Sequence, residues 1–496
     1  LSKTKDLIIW FDNIRKTDIP LVGGKNASLG EMINAKMPVP PGFAVTAYAY
    51  EKFISETRIA DMIYKIIKET VTDPNDPKQY AVASEKIREL IEKTQIPKTI
   101  EDAVKSAYKE LNKTLNMKDV FVAVRSSATA EDLPDASFAG QQETYLNVRG
   151  VDDLLDKIMK CWSSLFTPRA IFYRNEKGFA HEKVFISVGV QKMVNSKAAG
   201  VMFTINPVTG NTDEIVIEGS YGLGEIVVSG AVNPDDFIID KKSMKIKEKR
   251  LSRKAIKYVR DSETGKTIHV DVPEDKQREP CVNDKEIMAL AKLAKRIETH
   301  YGKSMDIEWA IDQDLPFPNN MFIVQARPET VWSVKPKEAP GTSVEEKKVE
   351  EPLRAVLKGI SAGRRGYGVG TAQVVFNPAD ANSKVRKGDI LVTDMTNPDF
   401  VPFMKIASAI VTDKGGITSH AAIVSRELNI PCVVGTETAT KVMRTGQQYT
   451  VDSRNGVIYE GIMAQAIQLT TPKASVASSL IQATNTPVTA TKIYMN

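Results

Sequence analysis

Cysteine is scarce in this 496-residue chain: Cys161, Cys281 and Cys432 are odd in number and far apart. Such a set argues against a disulfide framework and a CxxC metal site, and for a reducing compartment. Histidine is scarce too, with only His181, His269, His300 and His420, and no two have the spacing of metal ligands. No apolar run reaches the roughly 18–20 residues that cross a bilayer, and the first residues carry no apolar signal core. Neither sign of charge dominates. The net charge is +5 and Lys and Arg are scattered among Asp and Glu, so a nucleic-acid footprint is lacking. The phosphate-loop pattern GxxxxGK[ST] is missing as well. Hydrophobic residues make up 42% and charged residues 26%, as in ordinary globular proteins, and the length suits roughly three domains. The default expectation is a cytoplasmic enzyme with no membrane and no nucleic-acid partner, homo-oligomerisation being left open.

What is present is concentrated in residues 413–431, DKGGITSHAAIVSRELNIP. The apolar run 406–411 before it predicts a buried strand. A turn follows at Gly415-Gly416, then Thr418, Ser419 and His420. Residues 421–428 predict a short helix, with Asn429 and Pro431 as stop signals. His420 therefore falls at a helix N-terminus, where free N–H groups, the helix dipole and two hydroxyl neighbours favour an anionic adduct on a ring nitrogen. A histidine that only shuttles protons does not need such a cradle. For a lone histidine at such a turn, a cap or a satisfied polar residue is the commoner reading.

Taken in order, residues 7–11, LIIWF, predict a first strand. LVGGKNASLGEM at 21–32 has two glycines that let backbone approach a ligand, with Lys25 at the start of a helix; by itself GGK also reads as a structural turn. PVPPG at 38–42 is a rigid turn, and 51–112 reads as charge-rich surface helices. The strand FVAV at 121–124 runs into RSSATAED, where small hydroxyl residues beside Arg125 suit phosphate contacts. LPDASFAGQQET at 133–144 has the composition of a loop that folds over a ligand, or of a plain surface loop. Further strands are predicted at 184–190, 200–204 and 215–217, the last leading into the glycine-rich turn EGSYGLGE at 218–225. The basic stretch 241–260 reads as a solvated face, and 285–301 as an amphipathic helix. DIEWAID at 306–312 alternates as a half-buried strand, and 321–324 pairs with it. That pairing places Glu308, Gln325 and Arg327 on neighbouring strands. A carboxylate and an amide oxygen are hard ligands suited to Mg²⁺, and an arginine beside them suits phosphate. Residues 333–354, rich in Pro, Lys and Glu, read as an extended linker. Beyond it come a glycine-rich hairpin at 358–375, a strand at 388–393, a Pro-containing turn at 396–403 and a hairpin around Asn455-Gly456. Two domains on a flexible linker suit a carrier that must move.

The pattern GGxTSHAAIVxRExxIPxVVG at 415–435 resembles the phosphohistidine domain shared by phosphoenolpyruvate synthases, pyruvate phosphate dikinases and their relatives. The motifs GGKNASLGEM, VRSSATAEDLPDASFAGQQETYLNV, QKMVNSKAAGVMFTINPVTG, EGSYGLGE, and DIEWAID followed by FIVQARPET resemble, in order, the ATP-grasp domain at the front of the same enzymes. The resemblance implies an α/β (α+β) chain. An ATP-grasp domain fills 1–332 with two subdomains split near 195–205, the linker is 333–354, and a swivelling β/β/α phosphohistidine domain fills 355–469. The tail 470–496 leads toward a (β/α)₈ barrel that binds pyruvate and phosphoenolpyruvate in the family and is absent from this sequence. It implies that His420 is a tele-phosphohistidine intermediate. It also implies that Lys25, Arg125 and Arg327 contact phosphate, that Gly140 and Thr144 belong to the loop closing over it, that Gln191 lies on the adenine-side strand, and that Glu308 and Gln325 hold Mg²⁺. ATP is then the substrate: AMP leaves, and a phosphoryl group passes through His420 to pyruvate. Water as second acceptor fits the synthase, phosphate the dikinase, and overall similarity favours the synthase. A rifampicin-type antibiotic phosphotransferase would carry an acceptor domain where only the linker intervenes. A mere phosphocarrier would have no need of the nucleotide motifs.

Overall fold

Apolar residues at Ile100, Val104, Ala107, Tyr108 and Leu111 recur every third or fourth position, and that stretch folds as a helix with the stripe buried. The same period-matching sorts the chain into three sheets with their helices in the computed structural model, which describes residues 5–74, 76–129, 132–133, 136–137, 143–329, 332, 353–363 and 366–463. Among these the fold is mixed α/β, with no closed barrel. Residues 333–352 of the expected linker 333–354, the whole expected tail 470–496 with 464–469 before it, and Gly140 lie outside the described residues.

The first sheet takes β1 (Ile8–Trp10), β2 (Gly42–Val45), β3 (Val122–Ala128), β4 (Thr144–Val148) and β5 (Ile186–Lys192), in the antiparallel order β1-β2-β5-β3-β4. Its helices are α1 (Ile19–Asn34), α2 (Ala47–Glu56), α3 (Ala60–Thr70), α4 (Pro77–Lys93), α5 (Lys98–Thr114), α6 (Val151–Ser163) and α7 (Pro168–Lys177). They are not mere surface helices, because each of α2 to α6 sends apolar residues into one core. There Trp162 stacks on Phe53 with ring centroids 4.9 Å apart. Within α1 the backbone breaks at Gly23 (φ 71°). A side chain there would meet the Ser127 carbonyl oxygen at 2.3 Å, so glycine alone lets the helix start again beside β3.

The second sheet is antiparallel, with β6 (Ser196–Phe203), β7 (Glu214–Tyr221), β8 (Asp235–Asp240), β9 (Lys245–Arg250), β12 (Met305–Asp312) and β13 (Met321–Pro328) in the order β9-β8-β7-β6-β12-β13. The separate hairpin of β10 (Ile256–Arg260) and β11 (Thr267–Asp271) lies beside it. Helices α8 (Glu225–Val228) and α9 (Asp284–Tyr301) complete the unit. One face, with Ile215, Ile217, Ile307, Trp309 and Ile311, packs on α9 and α1. The expectation of a solvated basic face at 241–260 is corrected in part. Lys254 is fully buried, its Nζ 2.6 Å from the equally buried Asp235 carboxylate, which also accepts the backbone N–H groups of Ser252 and Cys281.

The third sheet holds β14 (Ala355–Lys358), β15 (Ile360–Ser361), β16 (Tyr367–Val374), β17 (Ile390–Thr393), β18 (Ala409–Thr412), β19 (Cys432–Val434), β20 (Gln448–Asp452) and β21 (Val457–Glu460), in the order β14-β21-β20-β16-β17-β18-β19-β15. The ladders from β16 through β19 are parallel, which fits the unbroken apolar runs of β17 to β19. Helices α10 (Pro378–Lys384), α11 (Val401–Ile406), α12 (His420–Glu427) and α13 (Ala439–Val442) connect them. Three expectations are corrected. The run 406–411 is the end of α11 followed by β18, because the 396–403 turn winds into a helix through Pro398–Phe400. The segment 358–375 is no hairpin, since β15 pairs with β19 while β16 pairs with β20 and β17. Its glycines serve close approach instead: a side chain on Gly368 would meet Ala409 Cβ at 2.5 Å.

The buried Asp235–Lys254 pair holds the segment after β9 against the second sheet. Asp235→Ala leaves a buried ammonium with no counter-charge, only the Ser252 carbonyl, and should cost about 3–5 kcal/mol, read as a lowered denaturant midpoint with an unchanged slope. A loss under about 1 kcal/mol would mean that water reaches Lys254.

Candidate functional site

Lys25, Arg125, Gln191 and Gln325 line one small cavity between the first and second sheets, together with Asn26 and Gly189. Its volume of about 10 Å³ holds roughly one water. Lys25 reaches it because α1 restarts after Gly23, and its Nζ donates to the Ser126 carbonyl at 3.3 Å. Gln191 is buried and donates to the Pro40 carbonyl at 3.4 Å. Arg125 bridges the two sheets. Its Nη1 donates to the Val324 carbonyl at 3.2 Å and lies 3.4 Å from Gln325 Oε1 and 3.5 Å from Glu308 Oε2. Its Nε is buried with no hydrogen-bond partner.

Glu308 and Gln325 face each other directly across β12 and β13, so their oxygens project to one side. No group of three His, Cys, Asp or Glu residues among the described residues forms a metal cage. A carboxylate beside an amide oxygen, already drawing the Arg125 cation, nevertheless suits a Mg²⁺ that keeps waters and phosphate oxygens as its other ligands. Arg327 is not part of the cavity lining; its Nε and Nη2 donate to Asp306 Oδ2 at 2.9 Å and 2.8 Å. Thr144 lies opposite Arg125 in the β3–β4 register and is exposed.

His420 is the first residue of α12, with Ser419 in the cap position and no side-chain cap. Of the two hydroxyl neighbours, Ser419 Oγ donates to the Gly416 carbonyl at 2.8 Å, while Thr418 Oγ1 is buried with no hydrogen-bond partner. The hydroxyl that meets the ring is that of buried Thr396, 2.9 Å from Nδ1. When Nδ1 carries the proton and donates it to Thr396, Nε2 keeps its lone pair. Burial first, then the Arg169 guanidinium, pushes the ring down from 6.5 to about 4, against a smaller opposing pull from Asp399. Arg169, on α7, and Asp399, before α11, are themselves an ion pair between the first and third sheets' units.

The loop before His420 rests on the second sheet. Glu218 accepts the backbone N–H groups of Ile417 at 2.5 Å and Thr418 at 2.9 Å, and Asn233 Oδ1 accepts that of Gly415 at 2.9 Å. Ile360 and Ile417 pack with Val216 and Ile238 of the second sheet. The registers then form one row: Asp236 opposite Glu218, Glu218 opposite Val201, Val201 opposite Glu308, and Glu308 opposite Gln325. Residues directly opposite share a face, so the His420 loop hangs about 10 Å along the sheet from Glu308, at two strand spacings. Sequence reasoning missed Thr396, Arg169 and Glu218 as site residues. Only Glu218 left a signal, as the first residue of EGSYGLGE, where a charge opens a glycine-rich turn.

The family described as "Pyruvate phosphate dikinase, AMP/ATP-binding domain" matches residues 19–348, and "PEP-utilising enzyme, mobile domain" matches 385–456. The chain is 48% identical to "Probable phosphoenolpyruvate synthase" of Staphylothermus marinus, over all of this chain and 63% of that protein. It is 46% identical to "Phosphoenolpyruvate synthase" of Pyrococcus furiosus, over 99% of this chain and 63% of that protein. Identity to the protein of the same name from Aquifex aeolicus is 45%, over 100% of this chain and 58% of that protein. The chain thus spans about three fifths of the length of these relatives.

The ring of His420 should stay neutral from pH 8 down to 5 when followed by NMR. Arg169→Ala should move its titration upward, toward 6.5, by removing the nearby cation. The sign for stability follows: the folded value lies below the unfolded one, so the neutral ring's contribution is present above pH 6.5 and is lost as pH falls toward 4. A midpoint near 6.5 in the unsubstituted protein would show that the ring is solvated.

Proposed function

We propose a reaction for a chain that belongs to the pyruvate phosphate dikinase AMP/ATP-binding family: the neutral imidazole of His420 takes a pyrophosphoryl group from ATP. Residues 1–332 act as an ATP-grasp domain and 355–469 as a swivelling phosphohistidine domain joined to it by 333–354. The lone pair of Nε2 forms a bond to the β-phosphorus while the bond from that phosphorus to the α-bridging oxygen breaks, and AMP leaves with that oxygen. Hydrolysis of the pyrophosphoryl group then leaves phosphohistidine and phosphate. Transfer to pyruvate, giving phosphoenolpyruvate, completes the reaction that the relatives' names describe, and those names favour water over phosphate as the second acceptor.

The observation that carries this reading is the strand row that puts the His420 loop and the Glu308–Gln325 pair on one face of one sheet. Each side chain then has a task. Lys25 and Arg125, at the cavity, neutralise phosphate oxygens. Arg327, one register step along β13, can exchange Asp306 for phosphate. Thr396 fixes the ring's orientation and holds the proton on Nδ1. Gln191 reads the base and Thr144 with Gly140 closes over the phosphates, as the motif match suggests. Mg²⁺, when bound at Glu308 and Gln325, supplies charge neutralisation for the transferring group. The rest of the rate comes from positioning.

Incubated with Mg·ATP, the chain should take up phosphoryl label that is lost in mild acid, as a phosphoramidate is. His420→Asn should keep nucleotide binding and lose the label. Arg125→Ala should slow labelling roughly 10²–10³-fold, the usual effect of removing one group that stabilises transition-state charge. Acid-stable label, or label on His420→Asn, would move the acceptor to a hydroxyl such as Ser419 or Thr418.

A further inference from the structure

The motif EGSYGLGE was singled out in the sequence, yet nothing in the reaction above uses its first residue. Glu218 is 1% exposed. On its own sheet it faces Asp236, whose two carboxylate oxygens are buried with no hydrogen-bond partner. The nearest cation to that pair on the second sheet is Arg250, its Nη1 3.7 Å from Asp236 Oδ2. From the other side come the amides of Ile417 and Thr418, the buried Arg426 guanidinium of α12, which donates to the Ile417 and Ala362 carbonyls, and Arg454, which lines the cavity beside Asp236 and Arg250. Two acids buried side by side are costly unless donors reach them, so this pair is built for the loop that covers it. Gly416 shows how close the fit is. A side chain there would meet Glu218 Oε1 at 2.3 Å and Pro234 Cγ at 2.5 Å, both on the nucleotide-binding unit.

We propose that Glu218 is a positioning residue for phosphoryl transfer: its carboxyl group seats the 415–419 loop on the nucleotide-binding unit and so aims His420. The inference rests on the reading of His420 as acceptor. The residue acts through the two loop amides and touches no reacting atom. Burial and the facing Glu218 push the Asp236 carboxyl well above its ordinary range, and burial raises that of Glu218. The two loop amides go to different oxygens of Glu218, so a glutamine at 218 keeps an acceptor for only one of them. The apolar contacts of Ile360 and Ile417 with Val216 and Ile238 hold the units together but fix no angle, whereas two hydrogen bonds to consecutive amides do.

The test uses the full chain with Glu218→Ala, Glu218→Gln and Gly416→Ala. Single-turnover labelling of His420 is measured at saturating Mg·ATP, beside nucleotide affinity. The spacing between spin labels at Lys109→Cys and Lys384→Cys, both exposed, reports docking; the three native cysteines are buried. Losing charge-assisted hydrogen bonds should slow labelling by Glu218→Ala about 10–100-fold, with nucleotide affinity within about twofold and a broadened label spacing. Glu218→Gln, which keeps one of the two acceptors, should fall between Glu218→Ala and the unsubstituted chain. Gly416→Ala, which keeps Glu218 and clashes only across the boundary, should behave like Glu218→Ala and decides the matter if Glu218→Ala does not fold. Unchanged labelling in Gly416→Ala or in folded Glu218→Ala overturns the proposal, as does Gln behaving no better than Ala. If the unsubstituted chain takes no label on His420, the acceptor reading fails by itself, and the spacing measurement still tests the docking.

Discussion

Side chains alternate across a strand, and in the six-stranded sheet that alternation decides where everything else goes. Ile215, Ile217, Ile307, Trp309 and Ile311 take one face and are sealed under α9 and α1. Val216, Glu218, Glu308 and Gln325 are thereby forced to the other. That second face is both the floor for the Glu308–Gln325 pair and the seat of the His420 loop. A one-residue slip in β7 or β12 would exchange the faces and destroy both at once. Trp309 guards the register, since its ring fills the space that a side chain on Gly219 would need, within 2.7 Å.

Much of this was legible locally. The spacing of acidic and apolar residues in DIEWAID identified a strand, and pairing it with 321–324 put Glu308 and Gln325 on neighbouring strands; the register sets them directly opposite. The helix after His420 was visible from its stop signals, Asn429 adopting φ 56° at its end. The missed contacts are all between distant stretches. Thr396 and His420 are 24 residues apart, Glu218 and Thr418 are 200 apart, and Arg169 pairs with Asp399 across 230. No periodicity within either partner encodes such a meeting. Lys254 misled for the same reason: a basic run reads as solvated until Asp235, from another strand, is found against it.

The contacts between the units are of unequal worth. Arg169 and Asp399 are partly exposed, 40% and 64%, and such pairs contribute about 0–1 kcal/mol. The Glu218–amide contact is buried and directional, so it is stronger while made and costlier to leave half-made. Ile360 and Ile417 bring a small apolar patch. A surface of this kind, one buried polar latch in a modest apolar rim, can hold an orientation and still separate, which a large obligate interface would not.

The charges at the cavity fit the same picture. Arg125 reaches across from the first sheet to Val324, Gln325 and Glu308, while its Nε has no partner. A guanidinium offers five N–H donors, and here the cavity satisfies it incompletely. A polyanion with its own cation would relieve both halves of this strain. In the proposed reaction, a divalent ion held by Glu308 and Gln325 would leave the Arg125 guanidinium to pair with phosphate. Arg125, reaching Val324, Gln325 and Glu308 from the first sheet, therefore ties the first sheet to the second at this cavity.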